Sequence, residues 1–276
     1  MTSQALNIRR GPLMPFVCLW RHRGLAWQLT VRDVKARYRG ALLGPFWAIF
    51  QPLLFLAVFT FVFTVIFPSR GAAWGANRAD FALAVFLGLI VFWLASDCIT
   101  RAPSLMRSNA GLVQNVVFPL EILPWITLGE AVFHAGLRFL IFLVAFAAVH
   151  GGAPWTILLL PLVIVPLVLI ILGISWILAA LGTFSRDLDQ VINVIVTAAM
   201  FVSAIFYPVT LVPAAYRGYF LLNPLAFTIE QARRVAMWGE PPAWAALGGF
   251  LVAGLVTAWL GLRWFARSRG RFADVL

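Results

Sequence analysis

TILLLPLVIVPLVLIILGISWILAALGTF, residues 156–184, carries no charged side chain, and its reading decides the fold. An α-helix rises 1.5 Å per residue, so about 20 consecutive apolar residues cross a bilayer. Working outward, similar apolar runs lie at about residues 43–67, 81–100, 125–149, 191–207 and 244–265. A strand barrel would need short segments of alternating polarity, and these runs are continuous. The sequence therefore predicts an all-α integral membrane protein with six transmembrane helices.

Composition agrees. Of 276 residues, 62% are hydrophobic and 11% charged, with a mean hydropathy of +0.93. Soluble domains run near half apolar and about a quarter charged, so a soluble enzyme is excluded. The net charge of +11 sits between apolar runs. There it orients the chain and attracts anionic lipid, and nucleic acid is not an expected partner. Fifteen basic residues fall on one side of the spans and five on the other, with Arg138 inside one of them. The positive-inside rule then puts both termini in the cytosol. No signal peptide is read in the first twenty residues, which Pro12 and Pro15 interrupt. Cys18 and Cys98 make no disulfide framework or metal pair and are expected to be packing thiols.

Two connections are unusual. Before the first span, residues 25–40 read as an amphipathic interface helix. Trp27, Val31, Val34 and Tyr38 share one face, and Asp33 and Arg37 are spaced for an i, i+4 pair. Such a basic helix lies in the interfacial plane, as an anchor or as a platform for a cytosolic partner. It follows a cytosolic segment, 1–24, and precedes the transmembrane domain, 41–276. Between the fifth and sixth spans, residues 209–243 are too apolar for a free loop and too rich in proline for a span. Re-entrant external helices covering a pathway fit that pattern.

Charges inside spans are costly and therefore candidates for function. Glu130, His134 and Arg138, spaced by four, share one stripe of the third span. A paired ladder, a pore lining and a proton relay all fit. Asp97 and Arg101 are expected to pair locally. No GxxxxGK[ST] loop, HExxH motif or GxSxG elbow is present; Ser175 and Ser203 lie within spans, and the hydroxyl of Ser203 is expected to bond its own helix. With no phosphate loop, any ATP and Mg that power transport must be bound by another polypeptide. Aromatics are abundant, with 24 Phe, 12 Trp and 4 Tyr. Those of the first span go round most of the helix, so some face packing or a pathway rather than lipid.

RDVKARYRGALLGPFWAIFQP, residues 32–52, resembles the start of the membrane subunit of ABC exporters for polysaccharides, the type-2 permease superfamily that includes O-antigen, capsule and teichoic-acid exporters. NAGLVQNVVFPLEILP (109–124), FSRDLDQ (184–190), FYP (206–208) and NPL (223–225) with Arg233 or Arg234 resemble later blocks of that family in the same order. The likeness runs from about Trp27 to the C-terminus. Leu120 departs from it, because the family usually has a basic residue there. The resemblance implies a homodimer working with two copies of an ATPase subunit in the bacterial cytoplasmic membrane. Trp27, Val31, Tyr38, Leu105, Asn109, Val113 and Phe118 would then couple to the ATPase. Arg32, Lys35, Arg37 and Arg39 would meet the anionic head of a lipid-linked glycan. Phe50, Phe59, Phe201, Phe206 and Tyr207 would line a glycan path between protomers, and Asn223, Pro224, Arg233 and Arg234 belong to the external region. Rival readings are a type-2 exporter of a small lipid or drug, a proton-coupled carrier using Glu130, His134 and Arg138, and an intramembrane hydrolase, which lacks a credible nucleophile and base.

Overall fold

The computed structural model describes residues 14–40, 44–62, 78–113 and 118–272. Every regular element among them is helical. In chain order these are α1 (Met14–Arg21), α2 (Arg23–Arg37), α3 (Trp47–Phe61), α4 (Arg78–Arg101), α5 (Leu105–Ser108), α6 (Ala110–Val113), α7 (Leu123–His150), α8 (Leu160–Phe184), α9 (Leu188–Val202), α10 (Ala214–Leu222), α11 (Pro224–Ala236) and α12 (Trp244–Ser268). Four stretches are long and apolar enough to cross a membrane: Ala79–Arg101, Leu120–His150, Trp155–Phe184 and Trp244–Arg271. The first and fifth runs of the sequence form the shorter apolar helices Trp47–Phe61 and Leu188–Val202. Residues 43 and 63–67 of the first run lie outside the described residues.

α4 is the hub, with Phe81 to Leu87 all between 0 and 3% exposed. It runs antiparallel to α7, with a side-chain contact between the two towards each end. Arg101 meets Glu130 at 2.5 Å, and His150 Nε2 lies 3.0 Å from Asp80 Oδ1. α7 stops in the expected tight turn, where Gly151 takes φ +77° and closes the helix in the left-handed conformation.

α8 and α12 approach through glycines. A Cβ on Gly173 would stand 2.4 Å from the Thr257 carbonyl oxygen, and one on Gly261 would stand 2.2 Å from the oxygen of Gly173. Small residues let membrane helices meet backbone to backbone, where hydrophobic burial no longer drives association.

α9 ends earlier than its apolar pattern suggests. The sequence predicts helix to Tyr207, but the chain breaks after Val202, with Ala204 at φ +53°. The region after it holds two helices that differ in burial. α10 is largely exposed, whereas α11 is inserted against α4 and α8 with Gln231, Ala232, Arg233 and Val235 buried. Asn223 caps α11 by accepting from the amides of Leu225 (3.0 Å) and Ala226 (3.4 Å), and Pro224 takes the first helical position.

Candidate functional site

The polar groups gather at the end of the bundle that holds α2, α5, the start of α7 and the ends of α4, α8 and α12. Glu130 is their centre. Its side chain is 2% exposed and takes Arg37 of α2 at 3.1 Å and Arg101 of α4 at 2.5 Å. His134 lies one turn on, with Nε2 3.9 Å from the same carboxylate and Nδ1 3.1 Å from the Tyr38 hydroxyl. Arg138 follows, 3.5 Å from Asp97 and stacked over Trp93 at 4.9 Å. The stripe is thus a paired ladder, but its partners come from other helices. Two local pairs expected from spacing are not formed. Arg37 goes to Glu130 while Asp33 takes its neighbour Arg32 at 2.9 Å, and Arg101 goes to Glu130 while Asp97 takes Arg138. The reason is desolvation: a buried carboxylate gains far more from a cation than an exposed one does.

This triad fixes how α2 lies on the bundle. Ala26 and Thr30 are its buried residues, and Thr30 fits against Gly129, where a Cβ would come within 2.9 Å of the threonine. Of the stripe of Trp27, Val31, Val34 and Tyr38, Tyr38 touches α7 through His134, whereas Trp27 stays 70% exposed.

α2 becomes a ridge between two clefts. On one side a polar cleft of about 420 Å³ is lined by Arg32, Asp33, Arg37, Arg101, Ser108 and Asn109, among others. On the other, a cleft of about 470 Å³ has walls from Val34, Ile49, Phe133 and Leu137, with Lys35, Tyr38 and Arg39 also lining it. The four basic residues singled out in the sequence are divided by this ridge. Arg32 and Arg37 are engaged in ion pairs on the polar side, and Lys35 and Arg39 border the apolar cleft. Partial burial raises the Tyr38 phenol above its usual pKa, so it keeps its proton at neutral pH.

The segment after α4 lies beside the polar cleft. Leu105 and Val113 are buried packing residues, and the Asn109 side chain donates to the Leu105 carbonyl at 2.9 Å. Arg107, which sequence reasoning passed over, donates to the carbonyls of Gly182 and Ser185 and to Asp189. Phe118 and Glu121 are held by Arg269, at 3.2 Å to the Phe118 carbonyl and 2.9 Å to the Glu121 carboxylate. Leu120 is 3% exposed, and burial accounts for an apolar residue at that position. Cys18 and Cys98 are both free, and burial pushes the Cys18 thiol up to about 12. No group of three or more metal-ligating side chains occurs among the described residues.

The aromatics named from the sequence divide between two helices. On α3, Phe50 packs edge-on to Trp47 (5.5 Å) and Phe59 stacks on Phe55 (6.3 Å). After α9, the Phe201 and Phe206 rings are 6.2 Å apart, and the Tyr207 hydroxyl donates to the Phe201 carbonyl at 2.7 Å. The Ser203 hydroxyl bonds Ala199 of its own helix, as expected. At this far end Arg233, 0% exposed, donates to the carbonyls of Ala84, Ala204 and Ile205 at 2.7 to 3.2 Å, and Arg234 pairs with Glu240 at 3.2 Å.

Apolar spanning helices tied at one end by ion pairs around a buried carboxylate define a multi-pass membrane protein. The chain belongs to the ABC-2 type transporter family, whose description matches residues 24–237. It is 26% identical over 258 residues to an O-antigen export system permease protein RfbA from Myxococcus xanthus, covering 93% of this chain and 96% of that one. It is 27% identical to an RfbA permease from Klebsiella pneumoniae, over 90% of this chain and 93% of the other. A polysialic acid transport protein KpsM from Escherichia coli is 26% identical, over 85% of this chain and 89% of the relative.

Proposed function

We infer that this chain is the membrane subunit of an ATP-driven exporter that moves a polysaccharide, carried on a lipid, across the bacterial cytoplasmic membrane. Two copies form the pathway, two copies of a separate subunit bind ATP and Mg and hydrolyse the nucleotide, and both termini face the cytosol. Relatives over most of the chain carry O-antigen export and polysialic acid transport in their names.

One observation carries the placement of the pathway. α3 and α9 are apolar, yet each leaves an amide side chain exposed, Gln51 on α3 and Asn193 on α9. Amides facing hydrocarbon are costly, so these surfaces suit a second protomer or a wet conduit rather than lipid. The exposed aromatics Phe50 and Phe201 sit on the same two helices. Aromatic faces stack on the apolar faces of sugar rings with little regard to sequence. α9 and the two residues after it reach from Asp189, beside α5, to Ala204, which Arg233 links to Ala84 near the start of α4; this supports a six-span count despite the 15 helical residues of α9.

The anionic head of the lipid carrier is met by Lys35 and Arg39, whose cleft joins two cations to apolar walls. Arg32 and Arg37 have other partners. Deleting the gene in its host should abolish the surface polysaccharide and leave polymer inside the cell, and the purified chain should bring down a P-loop ATPase. A deletion strain with normal surface glycan overturns this function.

A further inference from the structure

Within its own chain α9 buries only Ile192 and Val196 of its 15 residues, so contacts at its ends tie it most directly to the rest of that chain. At its foot, Arg107 of α5 reaches across to the α8–α9 turn. One guanidinium nitrogen donates to the carbonyls of Gly182 and Ser185, and the other donates to Asp189 in the first turn of α9. A second contact reinforces the first. Gly182 and Pro103 touch backbone to backbone, and a Cβ on Gly182 would fall 2.1 Å from the Pro103 carbonyl oxygen. α5 itself is seated by Met106 and Leu105, at 0 and 8% exposed. Arg107 and Asp189 are 20 and 31% exposed, so this ion pair is shielded from water better than an ordinary surface pair.

We propose that Arg107 and Asp189 are positioning residues that join the α4–α7 connection and the foot of α9 into one lever, through which a push on α5 reaches the pathway helix. The proposal rests on the exporter reading for the source of the push and the role of α9. A guanidinium bonded at once to a helix end, a turn and the next helix resists shear in all three, whereas a lone apolar contact would slide. The lever stays closed through the cycle: it transmits motion and does not open and shut.

The test uses the chain with its ATPase in the host, in a background where Cys18 and Cys98 are alanine. Arg107→Ala and Asp189→Asn should keep assembly and ATP hydrolysis near the background level while surface glycan falls about tenfold, within the usual range of coupling between distant sites. Replacing both residues by cysteine and bridging them with a short bis-thiosulfonate should restore export. Normal export in the single variants overturns the lever, as does a parallel fall of assembly, hydrolysis and export, or a bridged pair that stays inactive. Failure of the exporter reading looks different: the background itself shows ATP hydrolysis but no glycan export. Amide exchange over residues 188–202 then still tests the clasp, since Arg107→Ala should accelerate it, and unchanged exchange overturns the clasp.

Discussion

Glu130 shows what one residue decides. Its carboxylate is buried, but the two arginines it holds are 40 and 45% exposed. Removing the charge therefore does not strand a buried cation; it removes charge-assisted hydrogen bonds worth about 1.5–3 kcal/mol each. Glu130→Gln should destabilise the protein by about 2 kcal/mol, seen as a lower unfolding midpoint in detergent, and should loosen α2 specifically. Faster amide exchange over residues 23–37 would report that loosening. A midpoint within error of the parent would mean that α2 is held by Thr30 and Gly129 instead. The stripe of Glu130, His134 and Arg138 was legible in the sequence because four-residue spacing fixes a helical face. Its partners were not, since Arg37 and Arg101 are distant along the chain and spacing favours the nearer Asp33 and Asp97. Local pairing rules describe exposed helices, and here burial of Glu130 reorders the competition.

Among elements, the pair α8 and α12 is the clearest case of contact set by the absence of side chains. Gly173, Gly254 and Gly261 each have a backbone oxygen of the facing helix where a Cβ would go, at 2.4, 2.8 and 2.2 Å. Gly248 and Gly249, on the same α12, have nothing within 4 Å of that position. Gly261→Ala should force the helices apart and cost about 1–3 kcal/mol, the range for overpacking, while Gly248→Ala should be near neutral. Thermal unfolding of the two variants side by side checks this, and equal midpoints would show that the helices yield without strain. The four long spans were readable from hydropathy, down to the turn at Gly151. The break in α9 and the burial of Arg233 were not. Hydropathy reports that residues 191–207 are apolar, but Ala204 leaves the helix where Arg233 takes its carbonyl, and that partner comes from 29 residues further on. Arg233 read as an external charge for the same reason. Its carbonyl partners lie on α4 and beyond α9, and only the folded chain brings them together.

At the scale of the whole molecule, the proposed pairing of two copies raises the question of which outer face would meet lipid and which a second protomer. Leu140 and Val144 on α7 and Val252, Val256 and Leu260 on α12 are exposed aliphatic residues, as lipid contact requires. α3 and α9 differ by exposing Gln51 and Asn193 among aromatics. Helices with unmet amides gain most from association, because hydrogen bonds between helices replace bonds that lipid cannot offer. Two copies should therefore meet through α3 and α9, with the aromatics bordering the space between them. Single cysteines at Val194 or Leu54, both exposed, should crosslink two copies in native membranes, whereas cysteines at Val144 or Val252 should not. Crosslinking confined to Val144 and Val252 would put α7 and α12 between the protomers. The glycan path would then have to be sought away from Phe50 and Phe201, on a surface with no exposed amide to welcome it.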